Sequence, residues 1–374
     1  MLLERIMRPG LEGVIAAETR LSSVNGQLGE LIIGGYPLEE IAGNATFEQM
    51  VFLLWHDRLP DEQELVDFTN QLSAKRQIPQ ITIDLLREAA TNQLDVMDAL
   101  RMAADTLSLM VGEDNEPAAQ TMIAAFPTII AAYWRLLNGD DPIIPNPELS
   151  HAANYLYMLN GEEPPPAHIR ALETYLNTVV DHGFNASTFA ARTIISTNSD
   201  MVSAIVGAIG ALKGNLHGGA PGPALDMVFE IGKVENAEAY IRQKLATGER
   251  LMGFGHRVYK VRDPRADMLN TAAEQFFVGG EQAELYQLVR DVGQVALRLL
   301  EEYKPGRNLQ TNVEFYTALI LHGIGLPNDL FTPTFAIGRA GGWTAHALEH
   351  QRNHDRIIRP LAQYIGETDR RWRK

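Results

Sequence analysis

The period of the apolar residues constrains this chain more than any other feature. Across residues 281–303 the apolar positions Leu285, Leu288, Val289, Val292, Val295, Ala296, Leu299 and Tyr303 recur at three and four. That is one stripe of an α-helix. Similar patterns run through 62–75, 96–111, 118–137, 167–180, 201–212 and 237–246. Thr46 with Gln49 makes a capping box ahead of residues 50–55, and Leu59-Pro60 is expected to close that helix. Strand signals are few. The clearest is the alternation within 13–35, which turns at Asn25-Gly26 and reads as a small hairpin. The expected fold is all-α, a multi-helix assembly rather than a simple bundle. Residues 201–212 and 118–134 are apolar nearly all round, so burial on every side is expected, in a thick helical core or a subunit interface.

Composition narrows the function. With 374 residues the chain has room for two or three domains at about 100–200 residues each. Its 32 basic and 47 acidic side chains leave a net charge of −15. That balance argues against nucleic-acid binding and against a polybasic membrane contact. The absence of cysteine excludes disulfides, thiolate nucleophiles and cysteine-held metals together. The opening residues, Met1 to Gly10, carry charge too early for a signal-peptide core. The longest apolar runs, 122–134 (interrupted by Pro127) and 201–212, fall short of the ~18–20 residues a bilayer demands. A soluble, cytoplasmic protein is expected.

Two glycine-rich stretches interrupt the helical pattern: 214–222 (Gly-Asn-Leu-His-Gly-Gly-Ala-Pro-Gly) and 253–265, which begins Gly-Phe-Gly-His-Arg-Val-Tyr-Lys. Neither is a nucleotide fingerprint, since no GxxxxGK[ST] occurs and Gly253-Phe254-Gly255 lacks a third glycine and a preceding strand. Helix-terminating loops would explain them. Each, however, sets a histidine, His217 or His256, beside glycine, where backbone can approach a ligand and helix ends offer free N–H groups. The second loop also concentrates cations: Arg250, Arg257, Lys260 and Arg262 follow one another without an acid between them, and Arg265 comes next. A solvated basic face is one reading. Capture of a polyanionic small molecule is the other, because guanidinium matches carboxylate and phosphate.

Other candidates carry less. His346, His350 and His354 are spaced i, i+4, i+8, but Glu349 adjoins the second histidine, so this is not HExxH. They read as the surface of an amphipathic helix starting at Trp343, and no metal is expected. The pairs Asp140-Asp141, Glu162-Glu163 and Glu301-Glu302 read as solvated, and His56, His151 and His168 have no evident partner. Asn312-Val313-Glu314 opens an apolar helix, where the dipole alone favours an acid.

Taken together, these segments resemble the citrate synthase family, including 2-methylcitrate synthases. The resemblance rests on Gly13-Val14-Ile15-Ala16-Ala17-Glu18-Thr19, Gly35-Tyr36-Pro37-Leu38-Glu39-Glu40-Ile41-Ala42 and Asp181-His182-Gly183-Phe184-Asn185-Ala186-Ser187-Thr188. It continues through both histidine loops and Asn312-Val313-Glu314 to Phe335-Ala336-Ile337-Gly338-Arg339-Ala340-Gly341-Gly342-Trp343 and Arg359-Pro360. It covers essentially the whole chain, and the compact length is similar to the shorter prokaryotic branch.

The resemblance implies a homodimer with a large domain (1–217 and 322–374) and a smaller mobile domain (218–321), the active site lying between them. It implies condensation of acetyl-CoA with oxaloacetate and hydrolysis of citryl-CoA, with no permanently bound cofactor. By the same resemblance Glu314 is the base, His217 donates to the thioester oxygen and His256 polarises the ketone. His182, Arg265, Arg339 and Arg359 would hold oxaloacetate, Arg359 coming from the neighbouring subunit. Leu251, Met252, Gly253, Phe254 and Gly255 would contact the CoA adenine, with Lys260 and Arg262 facing its phosphates. One departure stands out: the family usually places Asp where this chain has Glu314, an arm longer by roughly 1.5 Å. Propionyl-CoA as the acyl donor, or a catalytically idle paralogue binding CoA or a tricarboxylate, are the alternatives this leaves.

Overall fold

The computed structural model describes residues 8–218, 221–256, 258–278, 280 and 282–372. Met1 to Met7, Arg257 of the cationic run, Gly219 and Ala220 of the first glycine loop, and Glu281 lie outside the described residues. A small antiparallel sheet comes first, in the order β1 (Ser22–Asn25), β2 (Glu30–Ile33), β3 (Tyr36–Pro37). The hairpin expected at Asn25-Gly26 forms, with Gly26 to Gly29 as its loop, and β3 adds an edge that the alternation did not reveal.

Sixteen α-helices follow among the described residues: α1 (Leu38–Ile41), α2 (Phe47–His56), α3 (Glu62–Ser73), α4 (Gln80–Thr91) and α5 (Val96–Asp105). Next come α6 (Asn115–Leu137), α7 (His151–Asn160), α8 (Pro166–Val179), α9 (Ala186–Ile195) and α10 (Met201–Leu212). The remainder are α11 (Pro221–Ile231), α12 (Val234–Ala246), α13 (Pro264–Phe277), α14 (Ala283–Tyr303), α15 (Val313–Gly323) and α16 (Phe331–Arg352). The all-α expectation holds.

Local chemistry accounts for several boundaries. Thr46 Oγ1 accepts the Gln49 N–H at 3.2 Å while Gln49 Oε1 accepts the Thr46 N–H at 2.8 Å, completing the capping box. The helix stops earlier than Leu59-Pro60, at Asp57, whose left-handed backbone (φ 60°) ends the turn. Pro127 sits inside α6 without breaking it. Its missing N–H removes one ladder bond, and buried neighbours on all sides hold the helix together.

The core runs along α16, against which α2, α6, α8, α9 and α10 pack. From Ala336 to His350 every residue of α16 is buried. This corrects the reading of a Trp343-initiated surface helix: the helix begins at Phe331, and Trp343, His346 and His350 are interior. Small residues (Gly338, Ala340, Gly341, Gly342, Ala345 and Ala347) let neighbours approach on all sides, and no amphipathic stripe is needed. Helix α6 is buried nearly throughout, as expected. Helix α10 is not buried on every side within the chain, because Gly210 is exposed and Ser203, Val206, Gly207 and Ala211 are half-buried.

Helices α11 to α15 pack mainly on one another and meet the rest chiefly through α1, α8, α16 and β2. The described residues contain no helix long and apolar enough to cross a membrane.

Candidate active site

Two histidines meet where the turn after α8 faces the loop before α13, and a third, His217, feels Arg339, which also acts on His182. The rings of His182 and His256 lie 6.0 Å apart, edge to face. Tyr259 stands beside both, its ring 5.0 Å from His256 and its hydroxyl 3.0 Å from His182 Nε2. The N–H groups of Val258 and Tyr259 each donate to His256 Nδ1 at 3.1 Å. Nδ1 is therefore the acceptor, and the ring proton belongs on Nε2. That nitrogen faces Arg265 Nη2 at 3.1 Å, so two donors point into one space and an oxygen acceptor would satisfy both. Burial and then Arg265 push His256 down to about 4, so the ring is neutral at pH 7.

His217 forms the second wall. Its Nε2 meets the Ser187 hydroxyl at 2.7 Å and accepts the Ser187 N–H at 3.3 Å, which leaves the proton on Nδ1. Ser187 is itself fixed by Trp343 Nε1, which donates to its Oγ at 3.0 Å. Burial and the charge of Arg339 push His217 down to about 4. His182 is held well below its ordinary value by burial, with Arg265 and Arg339 adding to it. All three rings are neutral donors or acceptors.

Two buried arginines supply charge. Arg265 is clamped by Asp263, with Nε to Oδ1 at 3.1 Å and Nη2 to Oδ2 at 2.9 Å. Asp263 also caps α13 by accepting the Arg265 N–H. Arg339 is 1% exposed, yet among the described residues it has no salt bridge. Its Nε donates to the Val179 carbonyl at 2.6 Å and its guanidinium lies 4.7 Å from the Phe335 ring. Burial, with Arg265 adding to it and Asp181 opposing it, pushes it down to about 10, so it remains a cation at pH 7. The buried Asp181 carboxylate offsets part of that cost without forming an ion pair with Arg339, so the guanidinium keeps the capacity to take an anion.

Glu314 occupies the first turn of α15, where Asn312 caps the helix by accepting the Glu314 N–H at 3.0 Å. Burial raises its carboxyl above the usual range, against the opposing pull of Arg265. The glycine loop is stitched to this helix start: Asn312 N–H donates to the Gly253 carbonyl at 2.9 Å and Gly255 N–H to the Gln310 carbonyl at 2.7 Å. Gly253 and Gly255 have φ of 85° and 80°, which side chains rarely adopt. Leu251, Met252 and Phe254 pack into the core around them. Beside this loop a cleft of about 190 Å³ is lined by His256, Lys260 and Arg307, among others.

Not every expected residue joins the group. Arg262 gives its two Nη atoms to Asp267 at 2.5 Å and Glu39 at 3.1 Å. Arg359 lies in an exposed stretch past α16. The described residues contain no cluster suited to a metal. Tyr259, Asp263 and Ser187 went unread as site residues in the sequence. An acid before Pro264 at a helix start is the one signal that could have exposed Asp263.

Neutral imidazoles, a half-buried carboxylate and two buried arginines, coupled through Arg265 and Arg339, suit acid–base chemistry on small carboxylates. Comparison with known proteins gives the family. The model for the citrate synthase C-terminal domain matches residues 10–361. Citrate synthase of Haloferax volcanii is 40% identical, with 97% of each chain covered. Citrate synthase 2 of Bacillus subtilis is 41% identical over 96% of this chain and 95% of its own. A 2-methylcitrate synthase of Mycobacterium tuberculosis is 37% identical over 97% and 92%. Among solved structures, citrate synthase of Thermotoga maritima superposes with TM-score 0.86 at 35% identity, covering 99% of this chain and 98% of that one. The Thermoplasma acidophilum enzyme, solved with carboxymethyl coenzyme A and oxaloacetate, gives 0.88 at 30% identity over 99% and 98%. The chain belongs to the citrate synthase family.

Proposed function

We propose that this protein condenses acetyl-CoA with oxaloacetate and hydrolyses the citryl thioester to citrate and CoA. The observation that carries the reading is the placement of Glu314. It is a half-buried carboxylate of raised pKa, electrostatically coupled to Arg265, whose guanidinium touches His256. A carboxylate so placed can remove a proton from the methyl group of an acyl thioester. The Nδ1–H of His217 stabilises the forming enol oxygen, the more effectively because Ser187 fixes the ring beforehand. The enol carbon then attacks the oxaloacetate ketone, polarised by His256 Nε2–H. Arg265, Arg339 and His182 hold the dicarboxylate, and Arg359 joins them from a neighbouring subunit of a homodimer.

Residues 218–321 act as a mobile domain that closes over the substrates and keeps the enol from water. Leu251, Met252, Gly253, Phe254 and Gly255 receive the CoA adenine, and Lys260 faces the phosphates. Arg262, shared between Glu39 and Asp267, reaches CoA only by leaving those partners. The enzyme works in the cytoplasm with no resident cofactor. Thiol release from acetyl-CoA and from propionyl-CoA, each with oxaloacetate, tests the reading, and a higher kcat/KM with acetyl-CoA is expected. Propionyl-CoA is the second reading, favoured by the 2-methylcitrate synthase relative. One methylene is worth only about 1–3 kcal/mol of discrimination. A higher value with propionyl-CoA would reverse the preference, and no thiol release with either would leave a ligand-binding paralogue.

A further inference from the structure

The N-terminal hairpin reaches both halves of the histidine site. At its base, Ser22 Oγ donates to Asp181 Oδ2 at 2.5 Å and accepts the Gly183 N–H at 2.9 Å, so β1 holds the turn that carries His182. At its tip, the Gly26 carbonyl accepts the Lys260 N–H at 2.8 Å. Gly26 also lies against the Val258 carbonyl, where a Cβ would collide, and a Cβ on Gly29 would come within 2.8 Å of the Arg262 carbonyl. The hairpin tip thus clasps the segment that holds Tyr259 from both of its neighbours.

Tyr259 is 3% exposed, and three of its groups meet three site residues. Its N–H donates to His256 Nδ1, its ring lies 5.7 Å from the Arg265 guanidinium, and its hydroxyl meets His182 Nε2. His182 is neutral and the phenol protonated, so one proton is shared along the 3.0 Å contact. Rotation of the His182 ring must break that bond.

We infer that Tyr259 is a positioning residue for oxaloacetate, its hydroxyl fixing the His182 ring across the cleft, and that the Gly26 clasp sets where that hydroxyl stands. The inference rests on the proposed oxaloacetate chemistry, and thiol release by the unaltered enzyme checks that separately.

Tyr259→Phe removes the hydroxyl and leaves ring and backbone in place. Loss of one hydrogen bond predicts a KM for oxaloacetate raised about 3- to 10-fold, with kcat and the KM for acetyl-CoA within about 2-fold of the unaltered enzyme. Calorimetric titration with oxaloacetate alone should show the same loss of affinity. Gly26→Ala should raise the oxaloacetate KM as well, and adding Tyr259→Phe to it should cost little more, because both act on one contact. An unchanged oxaloacetate KM and affinity in active Tyr259→Phe would overturn the inference. So would kcat and both KM values shifting together, the mark of general loosening. Fully additive effects of the two substitutions would remove the clasp from it.

Discussion

The Oδ2 atom of Asp263 accepts the backbone N–H of Val313 at 3.2 Å while it grips Arg265 Nη2 at 2.9 Å. One carboxylate therefore ties the proposed substrate arginine to the helix start that carries Glu314. Asp263 is 2% exposed and Arg265 5%. Asp263→Ala strands a buried guanidinium, and such losses cost about 3–5 kcal/mol. Urea unfolding should show that drop. A midpoint within error of the unaltered protein would mean that the pair contributes nothing to stability.

Glu314→Gln keeps the shape and removes the base. Oxaloacetate affinity should persist while turnover falls about 10²- to 10⁴-fold, the usual span for a positioned acid–base group. Retained turnover would take Glu314 out of its role. In the unaltered enzyme, burial lifts the Glu314 carboxyl, so kcat/KM should fall on the acid side above the ordinary carboxylate value of about 4.3. His217 and His256 are pushed down to about 4, below their ordinary value, and so are neutral at pH 7 where the rate is highest. An acid limb at or below the ordinary carboxylate value would contradict the assignment.

His151 links stability to pH. It is fully interior, stacked 4.8 Å from Phe47, and burial with help from Arg76 pushes it down to about 3 from 6.5. The unfolded chain takes up a proton that the folded one refuses. The contribution to stability is full above about pH 6.5 and drains away as pH falls toward 3. His151→Phe should therefore flatten the decline between pH 7 and pH 4 in urea midpoints. An equally steep decline in the variant would show that other groups carry it.

Gly342 lets α16 approach the turn after α8. A Cβ there would strike the Val180 carbonyl and come within 2.9 Å of Asp181 Oδ1. Gly342→Ala should cost about 1–3 kcal/mol in stability, as overpacked cores do. It should also weaken oxaloacetate binding, since Asp181 precedes His182. A variant with native stability and affinity would show that this turn yields freely.

Much of this was legible in the chain itself. Three-and-four spacing placed the helices, Thr46 with Gln49 marked a cap to the residue, and glycine-flanked His217 and His256 marked the loops. What stayed hidden has a physical reason. The burial of His346 and His350 could not be read from an amphipathic pattern, because α16 has none: its small residues bury every face. His346 lies 3.2 Å from Asp181 and 3.0 Å from Arg192, partners more than 150 positions away that local spacing cannot reveal. Tyr259 and Asp263 escaped notice for a different reason. Tyr259 meets His182 and Asp263 meets Val313, partners on other segments of the chain, and neither residue type marks such a role by itself.

Arg192, fully interior, reaches Glu349 at 2.7 Å and Asp355 at 3.1 Å, and Ser196 Oγ accepts the Ile358 N–H at 3.1 Å. Arg359 thus hangs on a short leash, its Cα only about 3.8 Å from that of the moored residue before it. If a neighbouring subunit takes this guanidinium, as proposed above, that neighbour has to come to it. In the proposed homodimer, any change that tilts one copy against the other by a few ångströms would carry that charge out of register, even with every residue of the recipient's own site untouched.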